Sequence, residues 1–397
     1  MERKCFPSDY SQRNCTRGKT LKSKKALAVS FLLGLVIGIG GMWAAVNMLG
    51  GAIVPSDDYS NIRYLSKAGM LMNYVNDSYY RETDMDDLAD GMYKGIVAGL
   101  DDPYSVYMTE DEYENWKLDL AGNYCGIGIT ISGDDDGLEV VRIVSGSPAD
   151  EAGFEIGDII KEVDGKSYDN VSELADAIRG REGTRVTVTY ERNSNLHSET
   201  LVRERITVKS VESRMIDDYT GYVAITSFKE NVSEDFKEAV DELKKKGADR
   251  VVIDLRDNGG GLLDEGIKVA DALLDSGNIL TYIYREGKTE KVPADSESIG
   301  IPYVVLVNGQ TASASEIVTA AVKDNEGGMI VGTKTFGKGI IQSTKRLSDG
   351  TALKLTVVEY RSPLGNVIHE KGIKPDYVVS DTEKPLQRAV EIVESTD

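Results

Sequence analysis

The segment Asn308-Gly309-Gln310-Thr311-Ala312-Ser313-Ala314-Ser315-Glu316 lies between an unbroken apolar run, Tyr303–Val307, and Ser313–Lys323, where apolar residues recur at helical spacing. It reads as a turn joining a buried strand to a helix. A serine at such a junction is exposed, and the backbone N–H groups that follow it sit at the positive end of the helix. That suits an attacking oxygen beside a site for a developing oxyanion. The same residue types also make ordinary helix caps, and Ser315, with Glu316 after it, fits that supporting role.

The flanking segments continue the alternation. Upstream, the pattern predicts a strand over Gly221–Phe228, an amphipathic helix over Ser233–Lys246 and a buried strand over Arg250–Arg256. Asp257-Asn258-Gly259-Gly260-Gly261 then leads into a helix ending near Leu274. Downstream, Met329–Val331, Ile340–Ser343 and Ala352–Glu359 read as strands. Strands joined through helices imply an α/β core with crossover connections. Two glycine-rich stretches are decoys. Gly332-Thr333-Lys334-Thr335-Phe336-Gly337-Lys338 matches seven positions of a nucleotide-binding P-loop, but the eighth is Gly339 rather than a hydroxyl residue, and strand rather than helix follows. Residues 259–261 fail the dinucleotide spacing because position 264 is Asp.

A serine nucleophile needs a base. His197 and His369, the two histidines of the chain, read as surface residues of a polar loop and of a turn near the chain end. A neutral lysine can replace histidine. Lys338 lies between Gly337 and Gly339, which permit close backbone approach around its amine. No acid adjoins it in sequence. Phe336, Ile340 and Ile341 would supply the apolar surroundings that lower a lysine pKa.

Between Gly126 and Glu191 the texture is one of short strands. Ile127–Ile131 and Leu138–Val144 flank Gly133-Asp134-Asp135-Asp136-Gly137, which reads as a solvated hairpin turn because it lacks the alternate ligand spacing of a calcium loop. Gly146-Ser147-Pro148-Ala149 through Gly157-Asp158-Ile159-Ile160, then Val163-Asp164-Gly165, a helix over Val171–Arg179 and a strand over Arg185–Glu191 resemble the PDZ fold. In that fold a glycine-rich loop presents N–H groups to a peptide's terminal carboxylate, and the peptide adds as a strand. The matching residues are Gly126, Ile127, Gly128 and Ile129. Arg179, at the end of the peptide-side helix, is a candidate sensor that would signal tail occupancy by pairing with a carboxylate of the next domain; a solvated arginine at a helix end is the plainer reading.

The chain of 397 residues has room for two or three domains, and its net charge of −20 argues against nucleic acid as a partner. Three widely spaced cysteines exclude a disulfide scaffold and a cysteine-built zinc site, and no metal ligand set is read elsewhere. Residues 1–25 carry eight basic and two acidic residues, a local charge of +6 that leaves −26 on the remainder. This basic head runs into an uncharged apolar stretch, Ala26–Val54, longer than the ~20 residues a bilayer core requires. The expectation is a transmembrane anchor with the head cytoplasmic and the rest extracytoplasmic; a cleaved signal peptide is the rival. Helices follow Tyr59, from Asp84 to Gly99 and from Glu110 to Leu120, and would serve as a homo-oligomer interface or as a cap on a neighbouring domain.

Together Leu100-Asp101-Asp102-Pro103-Tyr104-Ser105, the PDZ module, Asp254-Leu255-Arg256-Asp257-Asn258-Gly259-Gly260-Gly261, Thr311-Ala312-Ser313-Ala314-Ser315-Glu316-Ile317, Phe336-Gly337-Lys338-Gly339 with Gln342, and Lys371-Gly372-Ile373-Lys374-Pro375-Asp376 resemble the C-terminal processing peptidases, or tail-specific proteases. The resemblance spans residues 60 to 380 in the family's domain order. Thr311 stands where a first serine is more usual, and Asp102 replaces a commoner small residue; neither removes an assigned chemical group. It implies a multidomain α+β and α/β chain: basic head (1–25), anchor (26–54), N-terminal helical region (59–120), PDZ domain (122–208) and a crotonase-like α/β serine peptidase core (209–397). It also implies Ser313 as nucleophile, Lys338 as general base and Gln342 as the acceptor that orients the lysine. If residues 338–342 are strand, positions 338, 340 and 342 share one face, which agrees with that role. The N–H groups of Ala314 and Gly260 are the implied oxyanion donors. No cofactor is required, and the implied substrates are exported proteins with accessible C-terminal tails. The alternatives are a catalytically silent PDZ adaptor and a crotonase-type acyl-thioester enzyme.

Overall fold

The computed structural model describes residues 59–134, 137–295, 298–380 and 384–395; the expected basic head and apolar anchor lie outside them. Among the described residues no helix is long and apolar enough to cross a membrane. By internal packing the chain divides into two units, residues 1–89 and 90–397. In the first, helix α1 (Tyr59–Ser78) leaves Ile62, Leu65, Met70, Leu71 and Tyr74 exposed. Helix α2 (Met85–Ala98) places Asp86 and Asp87 in its first turn, where the helix dipole favours anions. Strand β1 (Val106–Met108) and helix α3 (Glu110–Leu120) follow. α3 starts at a reciprocal cap: Thr109 N–H donates to Glu112 Oε2 at 2.8 Å, and Glu112 N–H to Thr109 Oγ1 at 3.3 Å.

The PDZ-like module contains β2 (Asn123–Gly126), β3 (Ile129–Asp134), β4 (Gly137–Ile143), helix α4 (Pro148–Glu151), β5 (Ile159–Val163), helix α5 (Val171–Ile178), β6 (Arg185–Arg192), β7 (Asn195–Val202) and β8 (Glu204–Thr207). β3 to β7 form one antiparallel sheet in chain order, and β2 pairs with β8. Ile127, Val140, Val163, Leu174 and Val188 bury one apolar core, so the alternation of each strand has a defined inner face. β3 lies at the sheet edge, beside α5. β3 and β4 pair as far as Asp134 opposite Gly137. His197 sits in strand β7, not in a loop, with its ring stacked on Tyr190 at 5.3 Å.

The remaining chain forms β9 (Val211–Met215), β10 (Thr220–Ile225), helix α6 (Val232–Lys245), β11 (Arg250–Asp254), helix α7 (Leu263–Ala272), β12 (Gly277–Tyr284), β13 (Thr289–Ala294), β14 (Tyr303–Val307), helix α8 (Ala314–Asp324), β15 (Met329–Gly332), β16 (Ile340–Arg346), β17 (Ala352–Arg361), β18 (Tyr377–Val378) and helix α9 (Pro385–Glu394). Strands run β18-β15-β14-β11-β10-β9 in one sheet, parallel except for β9. Val251, Ile253, Val305 and Val307 face a core shared with α6, α7 and α8, while Val252, Val304 and Leu306 face α9. β14 is buried along its whole length because both faces are covered, which accounts for its unbroken apolar run. In a second sheet β17 lies between β1 and β12, and β16 also pairs with β17.

Adjacency of three parallel strands positions the site. β11, β14 and β15 lie side by side, and the loop after each leaves from the same end of the sheet. Those loops carry Gly259–Gly261, Ser313 and Lys338.

Candidate active site

The loops after β11 and β14 are stitched together by backbone groups. The Asn258 carbonyl accepts from Ala312 N–H (3.0 Å) and from the Ser315 hydroxyl (3.0 Å), and Thr311 Oγ1 donates to the Leu255 carbonyl (2.8 Å). Ser315 is fully buried and so supports the turn from below. Ser313 opens α8 with φ +57° and ψ −116°, a sparsely populated conformation for a residue with a side chain.

Glu316 holds that conformation. It is fully buried, and its two oxygens accept four donors: Thr335 Oγ1 (2.6 Å) and Gly337 N–H (2.7 Å) on Oε1, Lys338 N–H (2.7 Å) and Ser313 N–H (3.0 Å) on Oε2. Burial pushes its carboxyl above the usual range, and the four donors pull it back. Tyr360, buried on β17, completes the frame: its hydroxyl lies 3.1 Å from the Ser313 carbonyl and 2.8 Å from that of Lys338. The backbones of residues 313 and 338 are thus held through their N–H groups by one side chain and through their carbonyls by another.

Ser313, Ala314, Lys338 and Gln342 line one cleft with Gly259, Gly261 and Lys354. Among the described residues the Ala314 N–H has no partner, as a donor awaiting a ligand oxygen would. Gly260 differs from the expectation. Its N–H donates to Asn258 Oδ1 at 2.9 Å, so it is not offered to the cleft. Its glycine character has another cause: φ is +100°, and a Cβ there would stand 2.8 Å from Ser313 Cβ and 3.0 Å from Ala314 N.

The expected face shared by residues 338, 340 and 342 is also revised. β16 begins at Ile340, after Lys338, and a bulge falls between Ile341 and Gln342. Gln342 Nε2 donates to Thr356 Oγ1 (3.1 Å) rather than meeting the lysine amine. The Lys338 ammonium instead lies 4.2 Å from the centre of the Tyr104 ring. Burial pushes Lys338 below the ordinary lysine range and the like charge of Lys354 adds to this, while Asp102 opposes both. Asp102 is the spatial acid that sequence adjacency did not reveal. His369, expected at the surface, is half-buried behind Gly339, where a Cβ would meet its backbone N at 2.4 Å.

The PDZ-like groove is a separate surface. Tyr124, Ile127, Gly128, Ile129, Val171 and Ile178 line it, beside the open edge of β3. Gly128 has φ +87°, and a Cβ there would stand 2.2 Å from that of Ser147. Gly126 ends β2 just before this loop. Arg179 follows α5 with its guanidinium 5.8 Å from the Tyr124 ring centre and 3.9 Å from Asp176. Glu212, on β9, lines the same groove.

Comparison with known proteins agrees with this arrangement. Residues 219–379 match the model of peptidase family S41, residues 139–192 a PDZ domain, and residues 35–112 the N-terminal domain described for the activating protease CtpB. A probable CtpA-like serine protease of Staphylococcus aureus is 35% identical over 85% of this chain and 68% of its own length. The chain belongs to peptidase family S41, among the CtpA-like C-terminal processing serine proteases. The carboxy-terminal processing protease CtpA of Bacillus subtilis is 39% identical over 76% of this chain; the match spans 66% of that relative, just under two thirds of its length. The solved photosystem II D1 C-terminal processing protease superposes with a TM-score of 0.53 at 31% identity, over 80% of this chain and 89% of its own. Membership sets aside the silent adaptor and the acyl-thioester enzyme.

For an S41 peptidase built this way, Glu316 and Ser315 make a discriminating pair. Glu316→Gln turns an amide donor toward a site of four donors, and kcat/KM should fall roughly 10- to 150-fold, the equivalent of losing one charged hydrogen bond. Ser315→Ala removes one of two donors to Asn258 and should cost about 1 kcal/mol of stability while turnover persists. Peptide cleavage and urea unfolding of both variants check this.

Proposed function

We propose that the chain is an anchored endopeptidase that cleaves exported proteins at or near their C-terminal tails. Ser313 Oγ would attack the peptide carbonyl, and neutral Lys338 would take the serine proton and pass it to the leaving amine. The Ala314 N–H, with that of Gly259 or Gly261, would hold the oxyanion, and water would release the acyl-enzyme. Gln342 would orient the amine by accepting through Oε1, its Nε2 being the atom bonded to Thr356. The observation that carries this reading is the Glu316 carboxylate, which accepts from the backbones of both Ser313 and Lys338 and so fixes the pair at one cleft.

A lysine works as a base only when neutral. Because burial lowers the Lys338 pKa, cleavage should rise with pH through one ionisation below the ordinary lysine value. Ser313→Ala and Lys338→Arg should both be inactive while folded, the second because guanidinium stays charged. A pH–rate profile with circular dichroism of both variants tests this; substantial cleavage by folded Lys338→Arg sinks the assignment.

Tail selection would reside in the PDZ-like groove, with the loop Gly126–Ile129 taking the carboxylate and β3 pairing with the tail. Gly128→Ala, which drives a Cβ into Ser147, should erase the preference for free-acid over amidated tails. Retained preference argues against the loop. Arg179 and Glu212 on one groove support a sensor pair between module and core.

The basic head and the apolar stretch 26–54 support a membrane anchor with the catalytic region outside, and the exposed apolar side chains of α1 support self-association. Protease added to intact cells should then reach residues beyond 60 but spare the head; protection of the whole chain until lysis reverses the orientation.

A further inference from the structure

Among the described residues the Lys338 amine makes no hydrogen bond to Ser313 or Gln342 and no ion pair with a carboxylate, and the Gln342 Nε2 donates to Thr356 Oγ1. Its closest described relationship is with Tyr104, whose ring centre lies 4.2 Å away, well within the range of attraction between a cation and an aromatic face. The backbone that carries this ring is tied down. Tyr104 N–H donates to Asp102 Oδ1 (3.0 Å), Asp102 Oδ2 accepts from Ser105 Oγ (2.6 Å), and the buried Ser105 Oγ accepts from Thr356 N–H (3.0 Å). The segment continues into β1, which pairs with β17 from Val106 opposite Lys354. Thr356 therefore joins two events: its N–H secures the mount of Tyr104, and its hydroxyl holds the amide of Gln342.

We propose that Tyr104 is a positioning residue for the general base: its ring seats the Lys338 ammonium, and the amine leaves this seat as the neutral form to accept the Ser313 proton before cleavage begins. The proposal rests on the reading of Ser313 and Lys338 as nucleophile and base. A ring quadrupole attracts the ammonium and not the free amine, so the seat retains the resting, charged lysine and loosens when the proton departs. The surrounding charges make this a balance. Asp102, on the Tyr104 segment, favours the ammonium, and Lys354, on β17, disfavours it. Across the cleft stand Asp264, Glu265 and Lys268 of α7, with Glu265 already occupied by Lys268 and the Ser233 N–H; Tyr360 lies on β17. Arg285, His369 and Glu370 line a second pocket together with Tyr104.

The test uses the full-length chain in detergent and a quenched peptide with a free C-terminus, and reads kcat/KM against pH. Tyr104→Phe keeps the ring face and should leave the midpoint of the rise where it is. Mono-, di- and pentafluorinated phenylalanine at position 104 keep ring shape while draining the face of negative charge. The midpoint should then move stepwise to lower pH, and below it kcat/KM should rise by up to about tenfold. A purely structural role for Tyr104 predicts no such trend. An unmoved midpoint across the series, or activity that falls at constant midpoint, overturns the proposal. Ser313→Ala and Lys338→Arg run in the same assay separate the two levels: cleavage by either means the dyad itself has failed, whereas two dead variants with a flat fluorine series sink the Tyr104 seat alone.

Discussion

A single buried carboxylate organises the catalytic region. Removing Glu316 from water is costly unless every lone pair finds a donor, and here four do, from the loop after β15 and from the start of α8. Two of those donors are the N–H groups of Ser313 and Lys338, so the requirement to satisfy one ionisable group sets the spacing of two residues far apart in sequence. The unusual backbone of Ser313 is tolerable because its N–H and its carbonyl are both engaged, by Glu316 and Tyr360. Thr335 extends the frame outward: its hydroxyl accepts from Ile373 N–H at 2.7 Å, which fastens the Lys338 loop to the chain around Gly372.

Sheet topology explains why these loops meet at all. Parallel strands β11, β14 and β15 are neighbours, and each ends at the same edge. Close approach there excludes side chains. A Cβ on Gly332 would stand 1.9 Å from the Val307 carbonyl oxygen, one on Gly261 would stand 2.2 Å from that of Phe228, and Gly260 lies directly against Ser313. The glycines around the site thus serve backbone packing between loops, and among the described residues the Ala314 N–H is left without a partner.

The frame fixes backbone and leaves one side chain to respond. Lys338 is half-buried and carries a like-charged neighbour in Lys354, both of which favour the neutral amine, while Asp102 and the Tyr104 ring favour the ammonium. In a chain with net charge −20, Lys338 and Lys354 line the same cleft and Asp102 favours the charged form of both, while burial favours the neutral one. The PDZ-like groove works by different physics. It offers an open strand edge and apolar walls, so recognition there rests on backbone pairing and burial.

Local chemistry made much of this legible in the amino-acid order. The apolar run Tyr303–Val307 specified a strand, the segment Glu110–Leu120 read as a helix, and the glycines beside Lys338 signalled close backbone approach. Ser313 and Lys338 could be named because their segments carry motif and chemistry together. Tertiary packing decided the rest. Glu316 read only as the residue after a supporting Ser315, since nothing in its neighbours foretells that a loop twenty residues later will bring it three more donors. The Gly260 N–H could not be assigned without knowing that the Asn258 side chain turns back onto it, and Gln342 could not be placed without the bulge in β16. Tyr104, Lys354 and Tyr360 reach Lys338 only because β1 and β16 pair with β17. Hydrogen-bond capacity and helical or strand period are properties of short segments, whereas burial, charge proximity and the partner of each polar group arise only when distant segments close on one another.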